Sequence, residues 1–451
     1  MLVNVQRNTL AFLPYQKDVM LPRSLCGSLP LLLILAGALP GCTEHPHPGL
    51  DPVTGDSVGV LVQEFPEGVL EDPAPFRLAE NPEVRIGVLE GASEYQWTRP
   101  VAATRLSDGG FAVLEQAPAE IRLFDPSGQF VRRVGVEGDG PGELRSPVGL
   151  VALPGDTLLV WDRGSRRLTW FSAGGEMVRE RTLRDPGGIQ THRRVTLSGS
   201  GVVSVLGATT TEEELGNQGR VRERWDVVPV LPDADPGSAV GTIPGIEREI
   251  EMDRSASGDL VSIRVRGRWW WGDGFAWASE DGVWTADPLA LEARHFDPER
   301  GLDRIVRILA EDRPFTRTLI DSLHTVELDR VDDPEVRELW RADFQEREYP
   351  QGMPPVASIF SDVAHRVWIG RTEPPPYRLP SGEWTAVRRW LLFEAGMPHD
   401  PEETGPLAWV GTLTLPPRSH PLWADGEGVL LVRIDEEFDV AFIEWYPFVS
   451  R

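Results

Sequence analysis

The chain has 451 residues, with 70 acidic against 45 basic side chains, a formal net charge of −25 and two cysteines. That charge argues against nucleic acid as a partner and against anionic lipid head groups as an electrostatic dock, since both would be repelled. With 41% hydrophobic residues the composition is that of a folded protein with a sizeable core, and the length suits two or three ordinary domains or one large all-β domain.

The N-terminal region carries the first local signal. Residues 29–42 read LPLLLILAGALPGC, an apolar run ending in a small-residue site before Cys42, with Arg23 as the positive flank. The run is shorter than the roughly 20 residues that span a bilayer as a helix. It resembles a bacterial lipoprotein signal, with Met20 as an alternative start and Cys42 as the lipidated residue; an uncleaved anchor is the other reading. Cleavage would discard Cys26 and leave Cys42 as the lone thiol, so no disulfide is expected. Arg7, Lys17 and Arg23 against Asp18 give residues 1–41 a net +2, so the mature chain would carry −27 and would reach a membrane only through its lipid. Residues 42–56, including TEHPHPGLDPVTGD, read as a flexible tether, and His45 and His47 within it as solvated linker residues.

From residue 57 the chain repeats. Residues 100–133 align without a gap on 147–180 at an offset of 47: Pro100 with Pro147, Val113 with Val160, Glu115 with Asp162, Phe124 with Phe171, Gly128 with Gly175. Within each unit, short β-rich runs such as Phe111 to Leu114 and Ile121 to Phe124 alternate with turn signals such as Asp125-Pro126-Ser127-Gly128. Three or four short antiparallel strands per unit of this length is the pattern of a propeller blade. Later units are looser. Leu197 to Val205 with Trp225 to Leu231 are assigned to a third blade, and Leu260 to Val265, Gly274 to Ala278, Gly282 to Thr285 and Leu291 to Phe296 to a fourth. Val367 to Ile369, Trp390 to Phe393 and Trp409 to Leu415 suit a fifth, and Leu422 to Trp423, Gly428 to Arg433 and Val440 to Tyr446 a sixth. Residues 76–87 read as an outer strand whose blade is supplied by the C-terminal unit, which would close the ring and remove exposed sheet edges.

The run Gly135 to Leu144, then Pro147, Val160-Trp161-Asp162, Arg167-Leu168 and Phe171, resembles the blade signature of six-bladed β-propellers of the NHL and TolB-like type, and in particular the envelope lipoproteins among them. The resemblance implies an all-β, six-bladed propeller over residues 57–451, closed by its N- and C-terminal strands. One segment departs from it. Thr316 to Phe344 has apolar residues at helical spacing, with Asp333-Pro334 as cap and first helical position, so two short helices are expected within 316–349, between the fourth and fifth blades. They would pack on the side or rim of the propeller or form a lid over its channel.

No catalytic set stands out. Lactonases of this fold hold a channel cation with carboxylates and asparagines, whereas the mature chain has only Asn81 and Asn217; lyases of this fold use several channel histidines, whereas His192, His295, His324, His365, His399 and His420 are scattered. Gly138 to Gly142 is flanked by Asp139 and Glu143 and followed by no helix, so it reads as an inter-blade turn rather than a phosphate loop. Glu115 and Asp162, equivalent in the repeat, could ring one face and bind cations, or cap the next turn through its backbone. Sixteen tryptophans include Trp269-Trp270-Trp271, with Trp277 and Trp284 nearby. Neighbours on a strand point to opposite faces, so Trp269, Trp270 and Trp271 cannot all be buried on one side and form the candidate ligand-binding cluster. The expected function is a monomeric, lipid-anchored envelope module that binds a protein or glycan, without metal or cofactor. A channel-metal hydrolase or lactonase and a purely structural envelope component are the alternatives.

Overall fold

The computed structural model describes residues 53–57, 59–183, 190–199, 202–208, 219–230, 237–254, 260–267, 274–329, 331–346, 349, 351–380, 384–395 and 405–451. The signal expected over 1–41, Cys42 and Trp269, Trp270 and Trp271 lie outside these residues.

The repeat seen in the sequence folds into two like sheets. Sheet A is Pro100–Arg105, Phe111–Gln116, Ala119–Phe124 and Phe130–Val134; sheet B is Pro147–Leu153, Thr157–Asp162, Arg167–Phe171 and Met177–Thr182, each in sequence order and antiparallel throughout. Sheet C runs Gln190–Leu197, Val202–Ala208, Gly219–Val230, Gly241–Arg254 and Leu260–Gly267. Sheet D runs Phe275–Ala278, Val283–Asp287, Glu292–Asp297 and Gly301–Leu309, then continues through Val60–Pro66 to Val53–Ser57. Sheet E is Val356–Ser361, Arg366–Arg378, Trp384–Ala395 and Leu407–Thr414. Sheet F is Ser419–Ala424, Gly428–Ile434 and Ala441–Ser450, to which Phe76–Leu78 and Val84–Ile86 both add.

The apolar clusters show how these sheets are arranged. In sheet A the run Phe-Ala-Val-Leu from residue 111 is buried on both sides: Phe111 and Val113 pack with Leu430 and Ile443 of sheet F, while Ala112 and Leu114 pack with Leu158 and Val160 of sheet B. Period-two alternation on a doubly covered strand produces this pattern. The same holds between B and C (Trp161 and Leu168 with Val230), C and D (Trp225 with Phe296), D and E (Phe65 and Val306 with Ile369 and Phe393), and E and F (Trp390 and Leu392 with Leu431). Every sheet therefore packs on the next and the last on the first, which makes an all-β propeller. The ring closes where Val84–Ile86 pairs with Ile443–Trp445 and Phe76–Leu78 with Phe448–Ser450, both antiparallel.

Several sequence expectations need correction. Five sheets are antiparallel blades of four or five strands, but sheet D is six-stranded and mixed, because Val60–Pro66 pairs in parallel with Gly301–Leu309. Six like blades are therefore not what forms. Leu260–Gly267, assigned to the fourth blade, instead pairs with Gly241–Arg254 as the fifth strand of sheet C. The tether assigned to 42–56 gives up its last four residues, because Val53–Ser57 forms a hairpin strand with Val60–Pro66 that satisfies its backbone groups.

Antiparallel meanders put loops at two ends. In a four-stranded meander the entering connection, the turn between second and third strands and the leaving connection share one end, and the helices emerge at that end of sheet D. Helix α1 is Arg317–Leu328 and helix α2 Pro334–Glu346. Thr316 caps α1 by accepting from the Leu319 N–H at 3.3 Å, and Asp333 caps α2 by accepting from Glu335 and Val336 N–H at 2.8 and 3.3 Å. The hairpin builds its own small core of Phe315, Ile320, Leu323 and Met353, with His324 stacked on Phe344 at 4.4 Å. Its base is an antiparallel clasp in which Phe315 N–H donates to Gln351 O and Met353 N–H to Arg313 O. Helix α1 also touches Arg366–Arg378 of sheet E.

Candidate functional site

The repeated carboxylates resolve first. Glu115 and Asp162 are fully buried at the ends of their second strands. Glu115 accepts backbone N–H bonds from Thr98 at 3.1 Å, Arg99 at 2.5 Å and Ala117 at 3.3 Å; Asp162 accepts from Arg145 at 2.5 Å, Ser146 at 3.1 Å and Ser165 at 3.0 Å. Each thus ties the connection entering its sheet to the turn that follows. Burial pushes the Glu115 carboxyl above the usual range, while its backbone donors and Arg122 pull it back. With their lone pairs engaged inside the blade, these groups form no cation-binding ring. The capping reading is right and reaches further than one turn.

The Gly-rich run behaves as an inter-sheet connection. Arg167 holds it by donating to the carbonyls of Gly140 at 3.0 Å and of Asp139 and Glu143 at 3.3 Å each, so its carbonyls point at a cation and no phosphate cradle exists there.

His295 is the most chemically loaded histidine. It is 2% exposed, with Nδ1 2.7 Å from Asp303, Nε2 3.4 Å from Asp281, and its ring 4.8 Å from that of Trp284. Burial would lower its pKa, but the two carboxylates outweigh that and raise it. Asp281 is held well below the usual carboxylate range; its burial is offset by His295 and by a 2.7 Å hydrogen bond from Ser279. This ion triad, in which His295 and Asp303 are buried and Asp281 is half exposed, clamps sheet D at the end away from the helices. Trp277 is likewise committed to packing, edge-on to Phe360 at 5.1 Å. Among the described residues no three His, Cys, Asp or Glu side chains gather in a metal-binding group.

What remains at the helix-bearing end is an apolar surface and a cluster of charged side chains. Helix α2 turns only part of its apolar stripe inward: Phe344 is buried, while Leu339 is 69% exposed and Val336 and Trp340 are each 38% exposed. Pro334, Glu335, Glu338, Leu339 and Ala342 line a shallow groove along its outer side. Below the hairpin, the apolar D–E interface ends in charge. Arg371, Glu373 and Arg389 share the sheet E face that carries Ile369 and Leu391, because Gly370 pairs with Trp390 and Thr372 with Val387. Arg389 is tied to Glu373 and, at 3.4 Å, to Glu71, while Arg313 donates to Thr372 O. Sequence reading had flagged neither feature. The helices were legible, but which part of their stripe stays uncovered depends on tertiary packing, and the arginines are brought together by a β-bulge that has no signature in residue type.

No protein-family model matches the chain, and no curated protein sequence matches it. Solved structures do align along most of its length. They include a putative exported protein from Bacteroides fragilis (10% identity, 86% of this chain and 99% of that one, TM-score 0.42) and a DUF4221 family member from Bacteroides vulgatus (9%, 84% and 99%, TM-score 0.44). A third is virginiamycin B lyase from Staphylococcus aureus (9%, 83% and 100%, TM-score 0.35).

Proposed function

We propose that this chain is a lipid-anchored, extracytoplasmic β-propeller of the NHL or TolB-like type that binds a protein of the bacterial envelope through its helical hairpin. The anchor rests on the apolar run and Cys42. The observation that carries the binding role is the exposed stripe Val336, Leu339 and Trp340 on an element that interrupts the repeat. An amphipathic helix whose apolar side faces water is costly unless something covers it. Acidic residues flank the stripe at Asp332, Asp333, Glu335, Glu338 and Asp343, while Arg337 is tied to Val331 O and Arg341 to Glu338. The surface therefore suits a partner presenting an apolar side chain ringed by lysine or arginine.

A photo-crosslinking residue at position 339, in intact cells, tests this. One discrete protein adduct is expected there and not from position 309, whose leucine is also exposed but lies outside the hairpin. Equal adducts from both positions, or a glycan adduct, would count against it. Metabolic labelling with a lipid analogue, lost on Cys42→Ala, tests the anchor separately.

A further inference from the structure

We infer that Arg371, on the sheet E face turned toward sheet D and beyond the buried core between them, anchors a binding site for a carboxylate. Arg371, Glu373 and Arg389 lie on one face of sheet E, continuing the rows that lower down bury Ile369 and Leu391 against sheet D. Arg313 reaches the same strand from the base of the hairpin by donating to Thr372 O, which in turn sits one residue from Arg371. Three arginines thus converge on one end of sheet E in a protein with a net charge of −25.

The acceptors nearby are unequally shared. Arg389 takes Glu373 through Nε and Glu71 through Nη1, whereas Arg371, partly buried, makes no hydrogen bond or ion pair among the described residues. The crowding is felt: burial and the neighbouring Arg389 hold Arg371 below its usual pKa, with Glu373, Glu71 and Glu67 opposing, and Arg313 is lowered by burial and by Arg371. A partly buried planar guanidinium fork without an ion-pair partner matches a carboxylate in bidentate geometry. Phosphate fits less well, because its second charge would face Glu67, Glu71 and Glu373. The site is independent of the hairpin stripe, and either can fail alone.

The test is titration of the full chain with sodium acetate, against sodium chloride at matched ionic strength, read by saturation transfer from protein to the acetate methyl group. Saturable transfer is expected, weakened about tenfold or more in Arg371→Gln, as loss of a charge-assisted hydrogen bond implies. Arg371→Lys, which keeps the charge but not the fork, should also bind more weakly, and Arg317→Gln, on the exposed side of α1, should bind as wild type. Removing a cation from a crowded site should leave the melting temperature within about 2 °C of wild type, so lost binding is not lost fold. Transfer that fails to saturate, or that survives both Arg371 substitutions, overturns the proposal; inorganic phosphate displacing acetate more tightly than acetate itself binds overturns the ligand class.

Discussion

Replacing Asp162 by alanine exposes how the blades are joined. The carboxylate is fully buried and accepts the N–H groups of Arg145, Ser146 and Ser165. Alanine leaves three part-buried N–H donors without their acceptor. An unsatisfied buried donor costs about 1–3 kcal/mol, and a charged acceptor sits at the upper end of that scale. Against this stands the relief of no longer burying a carboxylate, which is worth several kcal/mol in a poor site and less where hydrogen bonds compensate it. The net expectation is a loss of about 3–5 kcal/mol, large for one residue but of the order reserved for broken buried networks. Asp162→Asn keeps one acceptor oxygen and should lose about half as much. Glu115→Ala, at the equivalent point of the neighbouring repeat and with three backbone donors of its own, should cost a similar amount. Urea unfolding followed by tryptophan fluorescence measures all three, with the midpoint read at constant slope. A loss below about 1 kcal/mol for Asp162→Ala would show that the connections are held by packing alone and would refute the capping account.

Two further outcomes follow from named residues. The His295 pKa is raised, so its contribution is fully present below about 6.5, the unperturbed value, and is lost as pH climbs through the folded value; Asp281 is depressed, so its contribution is present above about 3.8 and lost as pH falls through the folded value. The wild-type advantage over His295→Gln in thermal unfolding should therefore be greatest between those two limits and shrink on the alkaline side, and a pH-independent difference would rule out a charged imidazole. Gly411 has φ +134°, and a Cβ there would lie 2.4 Å from Ala74 N, in the backbone contact where residues 73–74 bridge to Thr412. Gly411→Ala should destabilise by about 1–3 kcal/mol from strain and displaced backbone, and a neutral effect in chemical denaturation would mean that this N-terminal contact contributes nothing.

The parts of the fold that were legible in the sequence are those where local pattern and tertiary environment agree. Phe111 to Leu114 and Leu158 to Trp161 are apolar throughout because both faces of their strands are covered, and their turns repeat at one spacing, so sheets A and B could be aligned residue by residue. Asp333-Pro334 announced α2 through chemistry that belongs to helix starts. Leu260–Gly267 went astray because the strand it pairs with, Gly241–Arg254, carries Pro244 and alternating charges and does not read as a blade strand. The parallel addition of Val60–Pro66 to sheet D is a long-range choice that no local pattern encodes. The candidate surfaces were the least legible. Leu339 and Phe344 are both apolar members of one helical stripe, yet Phe344 is buried against His324 while Leu339 is 69% exposed, and Arg371 stands out only once a bulge sets it beside Arg389.

The central claim is that the hairpin stripe is where a partner binds. Its most direct measurement is quantitative co-purification from intact envelope of the wild-type chain and of the Leu339→Asp, Trp340→Asp variant, both side chains lying at the surface. A single stoichiometric protein with wild type, lost with the variant while the melting temperature is unchanged, is the expected result. The same protein retained in the same amount by the variant would contradict the account.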